Sequence, residues 1–197
     1  MANADTPFGL KPIQLGSGQY RIRPYYVPAT YATALFIGDP VIVTGTANTS
    51  EVDEFIAGSL PEVNKATAGT TNKIAGVIVA VGADPDNRDK IYSPASTEAV
   101  VWVCDDPDAL FEIQADNQAD IAATDIGSNA NVIYTDSGDT TTGLSGVELD
   151  TSSMTTTVGY QLKIQRLVNR PDNELGTNAK LVVSINNHFY ANAVVGI

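Results

Sequence analysis

The chain is poor in the side chains on which most enzymes and metal sites depend. Among 197 residues there is one histidine, His188, and one cysteine, Cys104. A Ser–His or Cys–His arrangement would have to use His188, and a structural zinc site would lack its four nitrogen or sulfur ligands. No G-x-S-x-G, P-loop, H-E-x-x-H or G-x-G-x-x-G pattern occurs. We therefore predict no enzymatic activity, no cofactor and no metal, with Cys104 a buried thiol that has no disulfide partner within the chain.

Long apolar runs and positive charge are also scarce. The longest apolar run, IAGVIVAVGA (74–83), has about half of the 20 residues that a helix needs to span a bilayer. The opening MANADTPFGL lacks the basic and apolar regions of a signal peptide. The 23 acidic residues outnumber the 11 basic ones and give a net charge of −12. This charge repels phosphates, and no Lys/Arg stripe opposes it, so we expect neither a nucleic-acid nor a membrane partner.

The sequence does contain many short β-branched or aromatic runs between clusters of Gly, Pro, Asn, Asp and Thr. Helical periodicity is scarce. The two short helix candidates are 50–60 and 117–127. A loop is an alternative for both, and an extended segment is a further alternative for the first. The pattern predicts an all-β fold, an antiparallel β-sandwich or barrel with at most one or two short helices. The predicted strands are 20–27, 32–37, 40–45, 73–81, 99–104, 110–114, 131–135, 157–168 and 179–190, with 192–197 as a further candidate.

The alternation of side chains predicts which strands are covered. Residues 73–81 and 99–104 are apolar on both faces, which predicts central strands covered on both sides and places Trp102 in the core. Residues 160–165 alternate apolar and polar, as in a half-exposed antiparallel strand. Leu181, Val183 and Ile185 likewise form one inward face, and His188 lies on the opposite one, which predicts a strand-end or subunit-contact histidine.

Two segments differ from this β-rich pattern. Residues 1–19 contain Pro7 and Pro12, which cannot donate ladder hydrogen bonds, and end in a flexible Gly-Ser-Gly. We predict an extended N-terminal arm over 1–19 that orders only against a partner, followed by a single β-rich domain over 20–197. Residues 135–157 are rich in Thr, Ser and Gly, which predicts an exposed loop or a polar edge hairpin.

Two acidic clusters leave a cation site open as an alternative. DPDNRD (84–89) and CDDPD (104–108) gather carboxylates, the ligands that calcium prefers, but neither has the spacing of an EF-hand. Pro85 and Pro107 favour tight turns in which aspartate side chains cap local backbone amides. We therefore predict solvated turns at both places.

The stretch RLVNRPDNELG (166–176) is the most polar interruption of the C-terminal third. Pro171 presets a turn and Gly176 permits a positive φ, so we predict a connection between two antiparallel strands. We expect Arg170 to pair with Asp172 or Glu174, and the loop to contact another subunit or a capsid. Replacing Arg170 should then weaken assembly.

Four stretches resemble small structural proteins of tailed bacteriophages that are thought to be capsid cement or decoration proteins. They are MANADTPFGLKPI (1–13), ATALFIGDPVIVTG (32–45), KIAGVIVAV (73–81) and RLVNRPDNELG with AKLVVSINNH (166–188).

The resemblance implies a β-rich subunit of jelly-roll, tulip-like or smaller barrel type that assembles as a trimer. It would be made in the bacterial host cytoplasm and would sit on the outside of an icosahedral head, where it clamps neighbouring capsomers of the major capsid protein. The alternatives are another virion component, such as a tail or head-fibre protein, a carbohydrate-binding β-sandwich, and a hydrolase. The expected capsid or subunit contacts are Pro7, Phe8, Leu10, Pro12, Ile13, Arg170, Asp172, Glu174, His188, Val194, Val195 and Ile197.

Overall fold

A computed structural model describes residues 3–13, 18–83 and 89–191, which form an all-β fold as the sequence predicts. Two single-turn 3₁₀ helices, Ala123–Asp125 and Thr151–Ser153, are the helical elements of the described residues. The strands are β1 (Lys11–Ile13), β2 (Ile22–Val27), β3 (Pro40–Ala47), β4 (Pro61–Lys65), β5 (Gly76–Val81), β6 (Ala99–Cys104), β7 (Leu110–Gln114), β8 (Asn129–Ala130), β9 (Val132–Tyr134), β10 (Val147–Leu149), β11 (Leu162–Leu167) and β12 (Lys180–Ile185).

Five strands close into a barrel in the order β2-β4-β3-β5-β6. β6 pairs antiparallel with the whole of β2, and a parallel pairing of Tyr26 with Glu62 joins β2 to β4 and closes the ring. Because side chains alternate along a strand, every second residue points inward. The barrel interior is therefore filled by buried side chains such as Tyr25, Val27, Ala99, Val101 and Val103.

A second sheet, in the order β1-β7-β12-β11-β8, packs beside the barrel. The largest hydrophobic cluster joins the two: it combines Val77 and Cys104 of the barrel with residues such as Phe111, Ile113 and Leu181 of the sheet. The antiparallel pair β9 and β10 borders this cluster. Burial raises the pKa of the Cys104 thiol to about 11, in agreement with the predicted structural cysteine.

Several strands lie where the sequence predicts them. β6 and β7 have the predicted bounds, and in β11 the buried Leu162 and Ile164 alternate with the exposed Lys163 and Gln165. The predicted strand 32–37 contributes only two isolated bridges, through Leu35 and Ile37. Residues 192–197 lie outside the described residues. None of the described residues forms a helix long and apolar enough to cross a membrane.

The structure also decides between the local alternatives. Residues 50–60 contain no helix, which bears out the loop or extended alternative, and 117–127 form a loop whose one helical element is the 3₁₀ turn Ala123–Asp125. The Thr/Ser/Gly-rich stretch, for which we predicted an exposed loop or a polar edge hairpin, contains β10, which pairs antiparallel with β9 but is buried. Trp102 is 38% exposed, although its neighbours in β6 are buried. It faces outward between Pro24 and Ala80, where the barrel wall is covered neither by the second sheet nor by the cluster around Val52 and Leu60.

The N-terminal segment is ordered against the chain's own second sheet, which corrects the prediction that it orders only against a partner. β1 pairs antiparallel with β7, and Leu10 is 1% exposed within the main core. The Thr6 amide donates to Gln114, and Asn3 hydrogen-bonds to the loop at residues 174–177. The expected arm is therefore extended but ordered over residues 3–13, because burying Leu10 and pairing β1 compensate for the entropy of ordering it.

Candidate interaction surface

A groove of about 500 Å³ runs between the edge of the second sheet and the barrel. One wall comes from the N-terminal segment and the opposite one from the barrel, while sheet residues and the 166–176 loop supply its charges. Its lining residues are Phe8, Leu10, Lys11, Pro12, Tyr20, Ile37, Gly38, Ile78, Val79, Glu112, Leu144, Arg170 and Lys180.

A close backbone crossing holds the N-terminal wall of the groove in place. The Leu10 amide donates to the Gly38 carbonyl at 2.9 Å. Gly9 and Gly38 both have positive φ, 74° and 94°, and a Cβ on Gly9 would lie 2.7 Å from the Gly38 oxygen. Glycine is therefore required at Gly9 both for its conformation and for this approach.

Four charged residues lie along the groove, and they differ in their partners. Arg170 Nη1 lies 2.8 Å from Glu112 Oε1, and its Nε lies 3.5 Å from Asp172 Oδ1. The pairing with Asp172 agrees with the sequence prediction, whereas the closer Glu112 belongs to β7 and was not foreseen. Lys11 and Lys180 form no hydrogen bond or ion pair through their ammonium groups among the described residues. Within the part of the chain that the structure describes, the groove thus carries two unpaired cations, on a chain whose net charge is −12.

The 166–176 loop connects the antiparallel strands β11 and β12, as its turn residues predict. Gly176 has a φ of 133°. Asn173 fixes the loop's base, because its side chain donates to the Val168 and Lys180 carbonyls and accepts from the Lys180 amide. The loop thereby holds Arg170 over the sheet, at the side of the groove.

A second polar assembly lies at one end of the barrel, around Asp105. This carboxylate is 0% exposed and accepts hydrogen bonds from Arg21 Nε at 2.7 Å, from Arg23, and from the Tyr25 hydroxyl at 2.6 Å. The Tyr25 hydroxyl also bonds to that of Tyr190. Burial alone would raise the pKa of Asp105, but the hydrogen bonds from Arg21, Tyr25 and Arg23 outweigh it and hold that pKa below its ordinary value.

The Asp105 assembly corrects the interpretation of CDDPD as a solvated turn. Asp105 is buried and its carboxylate oxygens already have donors, so it is available neither to solvent nor to a cation. Asp106 does cap a local amide as predicted, that of Asp108, and it also accepts from the distant Arg21 amide. The described residues include no group of three or more His, Cys, Asp or Glu side chains that could hold a metal. Residues 84–88 of the other acidic cluster lie outside the described part.

His188 lies just past the end of β12, as the strand-end prediction has it, and is buried beside this assembly. It is 3% exposed, and its Nδ1 accepts a hydrogen bond from the Tyr190 amide at 3.0 Å. The proton of the neutral ring is therefore assigned to Nε2, which has no hydrogen-bond partner among the described residues. Burial lowers the pKa of His188 to about 4, although nearby aspartates such as Asp105 oppose the shift. With one ring nitrogen used as an acceptor, His188 serves to position the segment that carries Tyr190.

The structure brings together only some of the predicted contact residues. Phe8, Leu10, Pro12 and Arg170 line the groove, and Asp172 and Glu174 lie in the loop beside it. Pro7 borders two neighbouring cavities with acidic linings, and Ile13 lines a small cavity with Tyr20. His188 lies in the separate Asp105 assembly, and the predictions for Val194, Val195 and Ile197 fall outside the described residues.

Sequence reasoning missed Lys11, Lys180 and Asp105. The two lysines are far apart in the chain, and no local pattern joins them. A signal for Asp105 does exist: Arg21, Arg23 and Tyr25 recur with a period of two, which places them on one face of a strand. An acid at the end of the apolar run 99–104 is a natural partner for such a row.

No protein-family model, curated protein sequence or solved structure matches the chain.

Proposed function

We propose that the protein is a structural component of a phage virion that binds the outside of an icosahedral head and cements neighbouring capsomers. One observation carries this proposal: the four stretches that resemble capsid cement proteins converge on a single groove. Residues 1–13 supply one wall and 32–45 and 73–81 the other, and 166–188 supply Arg170 and Lys180. Stretches that are widely separated in the chain thus share one surface, as expected if they resemble the family because they share its binding role.

The charge and fold are consistent with this role. A cement protein works through interfaces and needs no reacting groups. Its subunits reach a high local concentration on a capsid, where a net charge of −12 favours solubility. Attachment as a trimer would multiply a weak contact at each groove into tight overall binding through effective concentration. The proposed partners are therefore the major capsid protein and further copies of the same chain, and the proposed location is the capsid surface.

The test is reconstitution on heads that lack the protein. Purified chain is added to mature heads from a phage in which the gene is deleted, and bound protein is measured by co-sedimentation. We expect a trimer by light scattering, saturable binding, and release of DNA from the heads at a higher temperature than without the protein. A chain that stays monomeric and does not sediment with the heads would contradict the proposal.

A further inference from the structure

We infer that the groove binds an extended segment of a partner chain in which an apolar side chain is flanked by carboxylates. This inference rests on the proposed function for the identity of the partner, which would be the major capsid protein. The chemistry of the segment follows from the groove alone.

The apolar requirement comes from the walls. The two walls contribute apolar surface from the half-buried Phe8, Pro12, Ile37 and Val79 and from Leu144, which is 36% exposed. The groove volume of about 500 Å³ lies inside the range of about 300–1,000 Å³ typical of ligand pockets. A groove of this size admits a few side chains of a peptide, and removing their apolar surface from water is favourable.

The requirement for carboxylates comes from the unpaired lysines. Glu112 already neutralises Arg170 at 2.8 Å, so the groove's uncompensated charge is that of Lys11 and Lys180. Lys180 is only 8% exposed as a residue, so its stem is held by packing, whereas its ammonium group still reaches the surface, where it can bind a partner of opposite sign. On a protein of net charge −12, two free cations beside an apolar groove select an anionic segment against a basic one.

Side chains, rather than a β-ladder, must supply the recognition. β1 is the edge strand of its sheet, and Pro12 at its centre has no amide proton to donate. The N-terminal segment moreover occupies the edge of β7 itself, so it is not free to add a strand to a partner. Affinity should therefore depend on the apolar contact and on the two lysines, and should fall as salt is raised.

The test uses three fluorescent 12-residue peptides with the full-length chain, read by fluorescence anisotropy at low and high salt. The first has a central Ile-Leu pair flanked by Asp and Glu, the second has the same pair flanked by Lys, and the third keeps the acidic flanks around a Ser-Ser pair. We expect the first to bind at least tenfold more tightly than the others. Equal binding of all three, or no binding of the first at millimolar concentration, would overturn the inference.

Variants then assign the binding to the groove. Lys11→Met with Lys180→Met removes both charges while keeping the apolar stems, and should weaken binding of the first peptide about tenfold. Lys163→Met is the matched control, because Lys163 is an exposed lysine of the same sheet that does not line the groove. If the double variant fails to fold, by circular dichroism, Lys11→Glu reverses one exposed charge and should weaken binding severalfold. Unchanged binding in the folded variants would contradict the inference.

Heads that lack the protein separate this inference from the proposed function. Wild-type chain that binds heads while the double variant binds them equally well would overturn the inference and leave the cement role intact. Selective peptide binding by a chain that ignores the heads would instead overturn the cement role and keep the groove chemistry. If the double variant changes the oligomeric state and leaves peptide binding unaffected, a second copy is the occupant and the inference is wrong.

Discussion

The Asp105 assembly and the groove use basic side chains in opposite ways. At the barrel end, Arg21 and Arg23 meet a fully buried carboxylate whose oxygens already have donors within the chain. In the groove, Lys11 and Lys180 lie beside an apolar surface with no acceptor among the described residues. Satisfied charges inside a chain stabilise its fold, whereas unsatisfied ones beside an apolar surface are suited to a partner. Composition does not distinguish the two, but geometry does.

The largest expected effect is the loss of the Asp105 carboxylate. Asp105→Asn removes the charge that Arg21, Arg23 and Tyr25 share, while keeping the size of the side chain. Because the two arginine side chains are nearly half exposed, water can solvate their guanidinium groups once the carboxylate is gone. We therefore expect a loss of about 3 kcal/mol in the free energy of unfolding, at the low end for a broken buried pair. Urea denaturation at pH 7 measures it.

The control for this prediction is Asp172→Asn. Asp172 is the partner of a longer, exposed ion pair in the 166–176 loop, and its side chain is 68% exposed. Its replacement should change the unfolding free energy by less than about 0.5 kcal/mol. Equal effects of the two substitutions would mean that the Asp105 assembly is not the structural element described above.

A smaller effect is expected from acid, through His188. Its pKa is about 4 in the folded chain and about 6.5 in an unfolded one. Between these values the unfolded chain binds the proton and the folded chain does not, so stability falls as the pH is lowered through this window. We expect a loss of about 2 kcal/mol between pH 7 and pH 5, since a pKa difference of one unit corresponds to 1.36 kcal/mol at full protonation.

The matched variant is His188→Asn, whose amide oxygen can accept the Tyr190 amide proton as Nδ1 does. It removes the chain's only histidine. The variant should be less stable at pH 7 through the lost ring packing, and the difference in stability between the two proteins should shrink by about 2 kcal/mol from pH 7 to pH 5. Burial raises the pKa of Asp39 and of Glu148, and their contribution is common to both proteins and cancels in this difference. Asp105 titrates below this window because its pKa lies under its ordinary value, so it does not interfere. An unaltered pH dependence in the variant would assign the acid sensitivity to other groups.

The part of the fold that could be predicted from sequence is the part that local patterns determine. Strands with a clear apolar alternation, such as β6, β7 and β11, were predictable because burial sets their period. β4 was missed because Val63 is the one buried residue in PEVNK, and β10 because its neighbours are Thr, Ser and Gly. Pairings that close the fold, such as β1 with β7, join residues about a hundred positions apart and leave no local pattern.

The interaction surface was predictable in part, for the same reason. Phe8, Leu10, Pro12 and Arg170 were expected at a contact, because the first three belong to the predicted extended arm and Arg170 to the polar loop 166–176. That they line one groove follows from the crossing of Gly9 over Gly38, which no spacing reveals. The unpaired state of Lys180 could not be predicted either, because it depends on Glu112 pairing with Arg170 instead.

The smallest expected effect concerns Arg170, the one groove cation that is paired within the chain. Arg170→Met leaves the 8%-exposed Glu112 without its closest cation. Because the Arg170 side chain is 38% exposed and solvent screens the pair, we expect a loss of only about 1 kcal/mol in the free energy of unfolding. Glu112→Gln should restore most of it in the double variant, since no unpaired carboxylate then remains. A double-mutant cycle by urea denaturation measures this coupling. A coupling of zero would mean that the pair with Glu112 does not stabilise the fold. Arg170 would then join Lys11 and Lys180 as a groove cation available to a partner.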